Sequence, residues 1–344
     1  MWPELRRGLE ERKAMPTIKD VAQLANVSVG TVSKVLSEDK TVKKALRERV
    51  LKAVSDLNYR PNMAARALRT NRASIIGLVV PDITNPFFAQ LAKDIEAEAS
   101  RRGHTVMLTN SHDDPITEGQ QISALLDRSP SGLIVAACND SSVTLETTET
   151  HVVSVDRRFH SFPLIGTDNA TASAKLSTYL ISLGHHRIAY LAGPQSTEVG
   201  RQRLEGFREQ FDTHRLQNPD LRLTVHEGQF DYDSGELLAR SLLLMPISER
   251  PTAIVAASDQ MAIGVLRAAR DMDIAVPRAL SVAGFDDITL ASLVVPRLTT
   301  VAQQTEKLAN EAVKRVLDGQ APGNDAMVDG DLVVRESTGR APSN

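Results

Sequence analysis

The chain has 344 residues, 42% hydrophobic and 24% charged, with 40 Lys and Arg against 43 Asp and Glu and a net charge of −3. That length holds a small module and about two larger domains, each able to bury a core. No run approaches the roughly 18 to 20 apolar residues of a membrane-spanning helix, and a single cysteine, Cys138, excludes an intrachain disulfide framework and suits a cytoplasmic protein.

Residues 1–15 lack the apolar core of a signal peptide and read as an N-terminal extension, either an upstream start or a disordered arm. From Thr17 the chain reads as two short helices around a tight turn. Thr17 can cap the first, with Asp20 at the third helical position close to completing a capping box. Ile18, Val21, Ala22 and Ala25 recur at i, i+3, i+4 and i+7, which puts one narrow apolar stripe on one face. Asn26-Val27-Ser28 breaks the pattern and Ser28 caps a second helix. Val32, Val35 and Leu36 supply the partner stripe, while Thr31, Ser33 and Lys34 stay outside it. In a helix-turn-helix the start of that second helix enters the DNA major groove; an ordinary helical hairpin inside a core is the alternative. Charge favours DNA. Residues 16–72 hold 12 Lys and Arg against 5 Asp and Glu, a balance of +7 in a chain of net −3, and such a basic segment neutralises phosphates.

A third helix is expected over about Thr41–Leu57, with Leu46, Val50, Val54 and Leu57 inward and Lys43, Lys44, Arg47 and Lys52 mostly outward. Asn58 tolerates the left-handed conformation that ends helices, and Pro61 prevents resumption. The segment Arg60–Arg69 has helix formers and Asn62 as a cap, yet is shorter than the roughly 12 to 15 residues an isolated helix needs in water. It is expected to fold only when packed, and a matching segment of a second subunit over a DNA groove would serve.

Beyond residue 73, short apolar runs alternate with amphipathic stretches. Residues 75–80, 105–109, 133–137 and 152–155 read as one set of buried parallel strands, and 187–192, 223–226, 253–257 and 280–285 as a second. Two such sets suggest two doubly wound lobes with a ligand cleft outside the carboxyl ends of the strands. Asp286 directly follows the last run, and Arg203 opens a helix after the Gly193-Pro194 loop. A carboxylate and a guanidinium facing one cleft can clamp vicinal hydroxyls, which favours a polyol or sugar. Asn85-Pro86-Phe87-Phe88 ends the first strand of the other lobe, where Phe87 or Phe88 covers the ligand or simply joins the core. His185-His186 suggests a metal only weakly, because adjacent histidines point apart. The loop Gly193–Gly200 lacks the ending of a phosphate-binding loop, and neither Gly-x-Ser-x-Gly nor His-Glu-x-x-His occurs. Neither catalysis, a cofactor nor a metal is expected.

Segments in fixed order resemble the lactose/galactose repressor family: TIKDVAQLANVSVGTVSKVL from Thr17, YRPNMAARAL from Tyr59, IGLVVPDITNPFF from Ile76, LGHHRIAYLAGP from Leu183, GRQRLEGF from Gly200, AASDQMAIG from Ala256, LSVAGFDD from Leu280 and PRLTTV from Pro296. The resemblance runs from about residue 16 to the end. It implies a small all-α helix-turn-helix DNA-binding domain over 16–60, joined by a hinge helix over 61–72 to a two-lobed α/β periplasmic-binding-protein-like effector domain over 73–344. The chain should cross between lobes near Asn169, Val301 and Gln320. That assigns about 73–169 and 302–320 to the N-lobe and about 170–301 and 321–344 to the C-lobe.

The same resemblance implies that Val29, Gly30 and Lys34 face base edges, that Thr31 and Ser33 meet phosphates, and that Thr17, Ser28, Tyr59, Asn62 and Ala65 join the DNA contacts. Leu68 matches a leucine that wedges into the minor groove. Phe230 lies where relatives stack an aromatic on the effector, and Ser258 replaces the Asn of an A-N-D-x-M-A pattern, shortening one hydrogen-bonding arm. The expected protein is a homodimeric, cytoplasmic, nucleoid-associated transcription regulator, a repressor, on pseudo-palindromic operator DNA. Its small-molecule effector is expected to be a carbohydrate, acting as inducer or as corepressor. A solute-binding transport component would share the two lobes but need an export signal and no basic helical module. An enzyme would need a convergent nucleophile, base or metal set.

Overall fold

Turn chemistry and apolar periodicity divide the chain into two units, with the boundary between Ala73 and Ser74. The computed structural model describes residues 16–36, 39, 41–59, 73–138, 150–319 and 324–342. The expected hinge contacts Asn62, Ala65 and Leu68 lie outside these residues, as do residues 1–15.

The first unit contains α1 (Ile18–Leu24), α2 (Val29–Leu36) and α3 (Lys44–Asp56). The Asp20 carboxylate accepts from the Thr17 N–H at 2.7 Å and from its hydroxyl at 2.8 Å, and Ser28 Oγ accepts from the Thr31 N–H at 3.1 Å. Asn26 and Asn58 take left-handed φ of 50° and 47° where α1 and α3 end. Val21, Ala22, Ala25, Val32, Val35, Val50 and Ala53 form the buried core. The third helix starts later than its pattern suggests. Asp39 Oδ1 accepts from both the Thr41 N–H (2.9 Å) and its hydroxyl (2.7 Å), a local turn that competes with helix. Val50 and Ala53 then fill the centre of the core, and Leu46 is left half-exposed. Arg49 donates to the carbonyls of Ala25 and Asn26 at 2.9 and 3.1 Å, so this cation tends a helix end.

The second unit has two doubly wound lobes. The N-lobe sheet contains β1 (Ala73–Val80), β2 (Thr105–Asn110), β3 (Pro130–Val135), β4 (Val152–Val155), β5 (Leu164–Thr167) and β11 (Ala326–Val328), in the order β11-β5-β4-β3-β1-β2. With it go α4 (Pro86–Arg101), α5 (Pro115–Leu126) and α10 (Thr305–Asp318). The C-lobe sheet runs β7-β6-β8-β9, from β6 (Arg187–Ala192), β7 (Arg222–Glu227), β8 (Ala253–Ala256) and β9 (Ser281–Ala283), all paired parallel. Its helices are α6 (Asn169–Ser182), α7 (Glu198–Arg215), α8 (Tyr232–Leu243) and α9 (Asp259–Asp271). Each lobe buries its own aliphatic core around the sheet.

The chain passes between lobes after β5, after β10 (Thr300–Ala302), and between β11 and β12 (Asp331–Val333). β10 and β12 pair antiparallel, with Val301 opposite Leu332. The last passage corrects the expectation of a crossing near Gln320. Ala326–Val328 instead pairs in parallel register with Ile165–Thr167, so the chain stays in the N-lobe sheet until Asp329. A three-residue strand beside Asp329-Gly330 is too short to carry a period, which is why hydropathy did not mark it.

Candidate functional site

Parallel strands deliver their carboxyl ends to one cleft, and the side chains that follow them meet there. Asp286 comes just after β9, Asp156 and Arg157 directly after β4, and Asn85 between β1 and α4. Arg203 projects from the first turns of α7 and is 3% exposed. Its Nη1 lies 3.0 Å from Asp286 Oδ1 and donates to the Ala257 carbonyl at 2.7 Å, while its Nε donates to Asn169 Oδ1 at 2.9 Å. The guanidinium carbon sits 3.9 Å from the Phe285 ring centroid and 5.8 Å from that of Phe230. Phe230 reaches this place because residue 193 is glycine: a Cβ there would stand 2.1 Å from its ring.

Asp286 Oδ1 also accepts from Gln303 Nε2 at 2.6 Å, and Gln303 Oε1 accepts from the Thr167 hydroxyl at 2.9 Å. Burial pushes the Asp286 carboxyl up to about 6, against the opposing pull of Arg203. Across the cleft Asp156, 6% exposed, is also pushed up by burial. Its Oδ1 has no hydrogen-bond partner among the described residues. Arg157 Nε is 3.9 Å from Asp156 Oδ2, and the guanidinium turns instead to Asp113 at 3.1 Å and lies 5.3 Å from the Phe88 ring centroid. Asp156 and Asp286 both hold positive φ, 59° and 117°, a backbone cost that tends to gather at ligand sites.

Six of the seven expected effector residues border one inner cavity of about 20 Å3: Asn85, Phe87, Phe88, Arg203, Phe230 and Asp286. Asp156, Arg157 and Val199 complete it. Asn85 also caps α4, accepting from the Phe87 N–H at 3.0 Å. Phe87 and Phe88 are buried core members with rings 5.2 Å apart, so covering the cleft and packing the core are one arrangement. Ser258, the seventh, lies elsewhere. Its buried hydroxyl accepts from the Met261 N–H at 3.3 Å as the cap of α9, and it lines no part of that cavity. Its neighbour Asp259 is occupied by the Thr300 hydroxyl at 2.5 Å and the Ile288 N–H at 2.9 Å.

Asp156, Arg157, Gln303 and Asn169 are additions to the sequence reading. Asp156 carries the same signal as Asp286, a carboxylate directly after an apolar run; Gln303 carries none. His185 is buried with Nδ1 3.0 Å from Thr252 Oγ1 and Nε2 2.9 Å from Ser281 Oγ, and burial holds its pKa down, so it ties strands together. Burial pushes the Cys138 thiol up to about 12, aided by the charge of Glu118, and keeps it a protonated wall residue.

In the first unit, α2 exposes Val29 (38%), Gly30 and Lys34 on one side, with Thr31 and Ser33 half-buried. The Ser28 and Thr31 hydroxyls lie 2.9 Å apart, and the Thr17 hydroxyl is given to Asp20. Tyr59 is half-buried against the module's core.

Comparison with known proteins matches both units. The profile for bacterial regulatory proteins, lacI family, fits residues 17–62, and that for a periplasmic binding protein-like domain fits 177–338. The ribose operon repressor of Escherichia coli (strain K12) is 34% identical over 315 residues, covering 87% of this chain and 91% of the relative. The crystal structure of the Lac repressor dimer bound to operator and the anti-inducer ONPF superposes with a TM-score of 0.82 at 28% identity, over 94% of this chain and 99% of that one. A LacI family transcriptional regulator from Enterococcus faecium with bound ribose gives 0.67 at 25% identity, over 77% and 99%. Among the described residues no helix is long and apolar enough to cross a membrane. With a lacI-type reading head at one end and a two-lobed binding body behind it, the chain belongs to the LacI family of bacterial transcription regulators.

Proposed function

We propose that this regulator is a repressor that binds a pseudo-palindromic operator as a homodimer and whose operator affinity is set by a sugar held between its lobes. In this reading Val29, Gly30 and Lys34 face base edges, Thr31 and Ser33 approach phosphates, and residues 61–72 form a hinge whose Leu68 enters the minor groove. Tyr59 supports the module from its core side. The protein is cytoplasmic and carries out no chemistry on its ligand.

The observation that carries the sugar reading is the buried array of Asp286, Arg203 and Asp156. Two carboxylates and a guanidinium, bounded by aromatic faces, offer acceptors and donors at the spacing of vicinal hydroxyls. Asp156 Oδ1 in particular is a buried acceptor that a hydroxyl would satisfy.

Coupling follows from the wiring. Gln303 bonds Asp286 and Thr167 together, and Asn169 bonds Arg203, so the clamp is fastened to the passages after β5 and after β10. An inner cavity of about 20 Å3 is far smaller than a sugar ring, so the ring enters only as the lobes part. An effector shifts operator affinity only as far as it prefers one inter-lobe arrangement over another.

A thermal-shift screen of the full chain against pentoses, hexoses and their glycosides tests the reading. At least one carbohydrate should raise the melting temperature in wild type and fail to do so in Arg203→Ala. A stabilising ligand found only among non-carbohydrates would refute the sugar reading.

A further inference from the structure

Past the clamp the cleft widens into a second chamber of about 180 Å3. It shares Asp156, Arg157 and Val199 with the inner cavity, so Asp156 stands at the passage between the two. The unpartnered Oδ1 of Asp156 is a buried acceptor at that passage, and leaving such an oxygen without a donor costs free energy that a ligand hydroxyl relieves.

The sizes differ in kind. The inner cavity holds about one water, whereas an apolar cavity of about 150 Å3 admits a six-membered ring. The chamber's walls combine Cys138, Leu164 and Met327 with the polar side chains of Gln202, Glu198 and His160. The arginines that line it are already paired. Arg158 meets Asp325 at 2.5 and 3.2 Å, and Arg157 meets Asp113 at 3.1 Å. Glu198 adds a negative charge to the same wall. A phosphate or carboxylate would therefore find no uncommitted arginine, while a neutral ring with polar edges finds apolar faces and hydrogen-bonding groups.

We infer that the effector is a glycoside: a sugar whose hydroxyls meet Asp156, Arg203 and Asp286, and one of whose carbons carries a second, uncharged ring seated in the outer chamber. The inference rests on the sugar reading of the clamp. A second sugar and a nucleobase share this chemistry, joined through oxygen or through nitrogen.

Calorimetric titration of the full chain with ribose and uridine, glucose and cellobiose, and galactose and lactose distinguishes the two sources. In one pair the glycoside should bind at least about tenfold more tightly than its free sugar, the worth of burying a second ring. The uridine arm identifies an N-glycoside, and the other two an O-glycoside. Ser196→Trp and, separately, Met327→Trp fill the chamber from exposed positions and should abolish that advantage while the free sugar binds as before. A free sugar that binds as tightly as its glycosides, or an advantage that survives both substitutions, would overturn the inference and leave the sugar reading standing. Binding by no member of any pair would overturn the sugar reading and the inference with it.

Discussion

Lys34 and Asp286 show two ways in which one side chain can carry function. On α2 Gly30 offers no side chain and Val29 only a methyl surface, so discrimination among bases falls to Lys34, exposed in the last turn of that helix. Lys34→Ala should cost about 1 to 3 kcal/mol on a selected operator with little change on random DNA, measured by fluorescence anisotropy. Equal losses on both DNAs would make Lys34 a phosphate contact. Asp286 gives a pH dependence. Its folded-state pKa is raised to about 6 by burial, so the folded chain keeps a proton that the unfolded chain has released. Its contribution to stability is therefore greatest below the unfolded value and falls as pH rises toward 6. Hydroxyl binding needs the carboxylate, so carbohydrate affinity should fall by up to about tenfold per unit as pH drops below 6, and Asp286→Asn should flatten that profile. A wild-type affinity constant from pH 5 to 7.5 would count against this role. Arg203 and Asp286 were legible because each opens a strand-end or helix-start position, and Asp156 was legible by the same rule. Gln303 was not, since Ala302-Gln303-Gln304 has neither period nor charge. Ser258 misled because a serine in place of an amide reads as a shorter arm, whereas in space its hydroxyl serves α9.

Among the elements, those with strong local signals were readable and those defined by pairing alone were not. Caps at Thr17 and Ser28 and left-handed asparagines at positions 26 and 58 bound the three short helices of the first unit. The eight longer apolar runs all contain strands, while β5, β10, β11 and β12, of three or four residues each, owe their existence to neighbours distant in sequence. Helix pairing also depends on contacts no periodicity reports. A Cβ at Gly235 of α8 would lie 2.1 Å from the Met261 carbonyl oxygen of α9, and one at Gly264 of α9 would lie 2.1 Å from the Tyr232 carbonyl oxygen of α8. Both obstacles are backbone, so the helices must separate to accept a methyl group. Gly235→Ala should destabilise the C-lobe by about 1 to 3 kcal/mol in urea unfolding, despite alanine's better helix propensity. A neutral or stabilising result would mean that this helix pair yields at little cost.

In the molecule as a whole, a basic three-helix head and a two-lobed body divide the work of reading DNA and sensing a ligand. The body's design concentrates its three passages beside the clamp: Thr167 and Asn169 at the first, Gln303 at the second, and Gly330 at the third, where Lys175 donates to the glycine carbonyl at 2.6 Å. A ligand that re-pairs Asp156, Arg203 and Asp286 thus acts on the segments about which the lobes move. The central claim, that operator affinity is governed from this clamp, is tested most directly by measuring operator binding of wild type and Arg203→Ala with and without a saturating carbohydrate found to bind the wild type. The account predicts that the carbohydrate changes wild-type affinity by about 5- to 150-fold, and that Arg203→Ala binds the operator as wild type does but shows no change. An undiminished response in Arg203→Ala, at the same carbohydrate concentration, would contradict it.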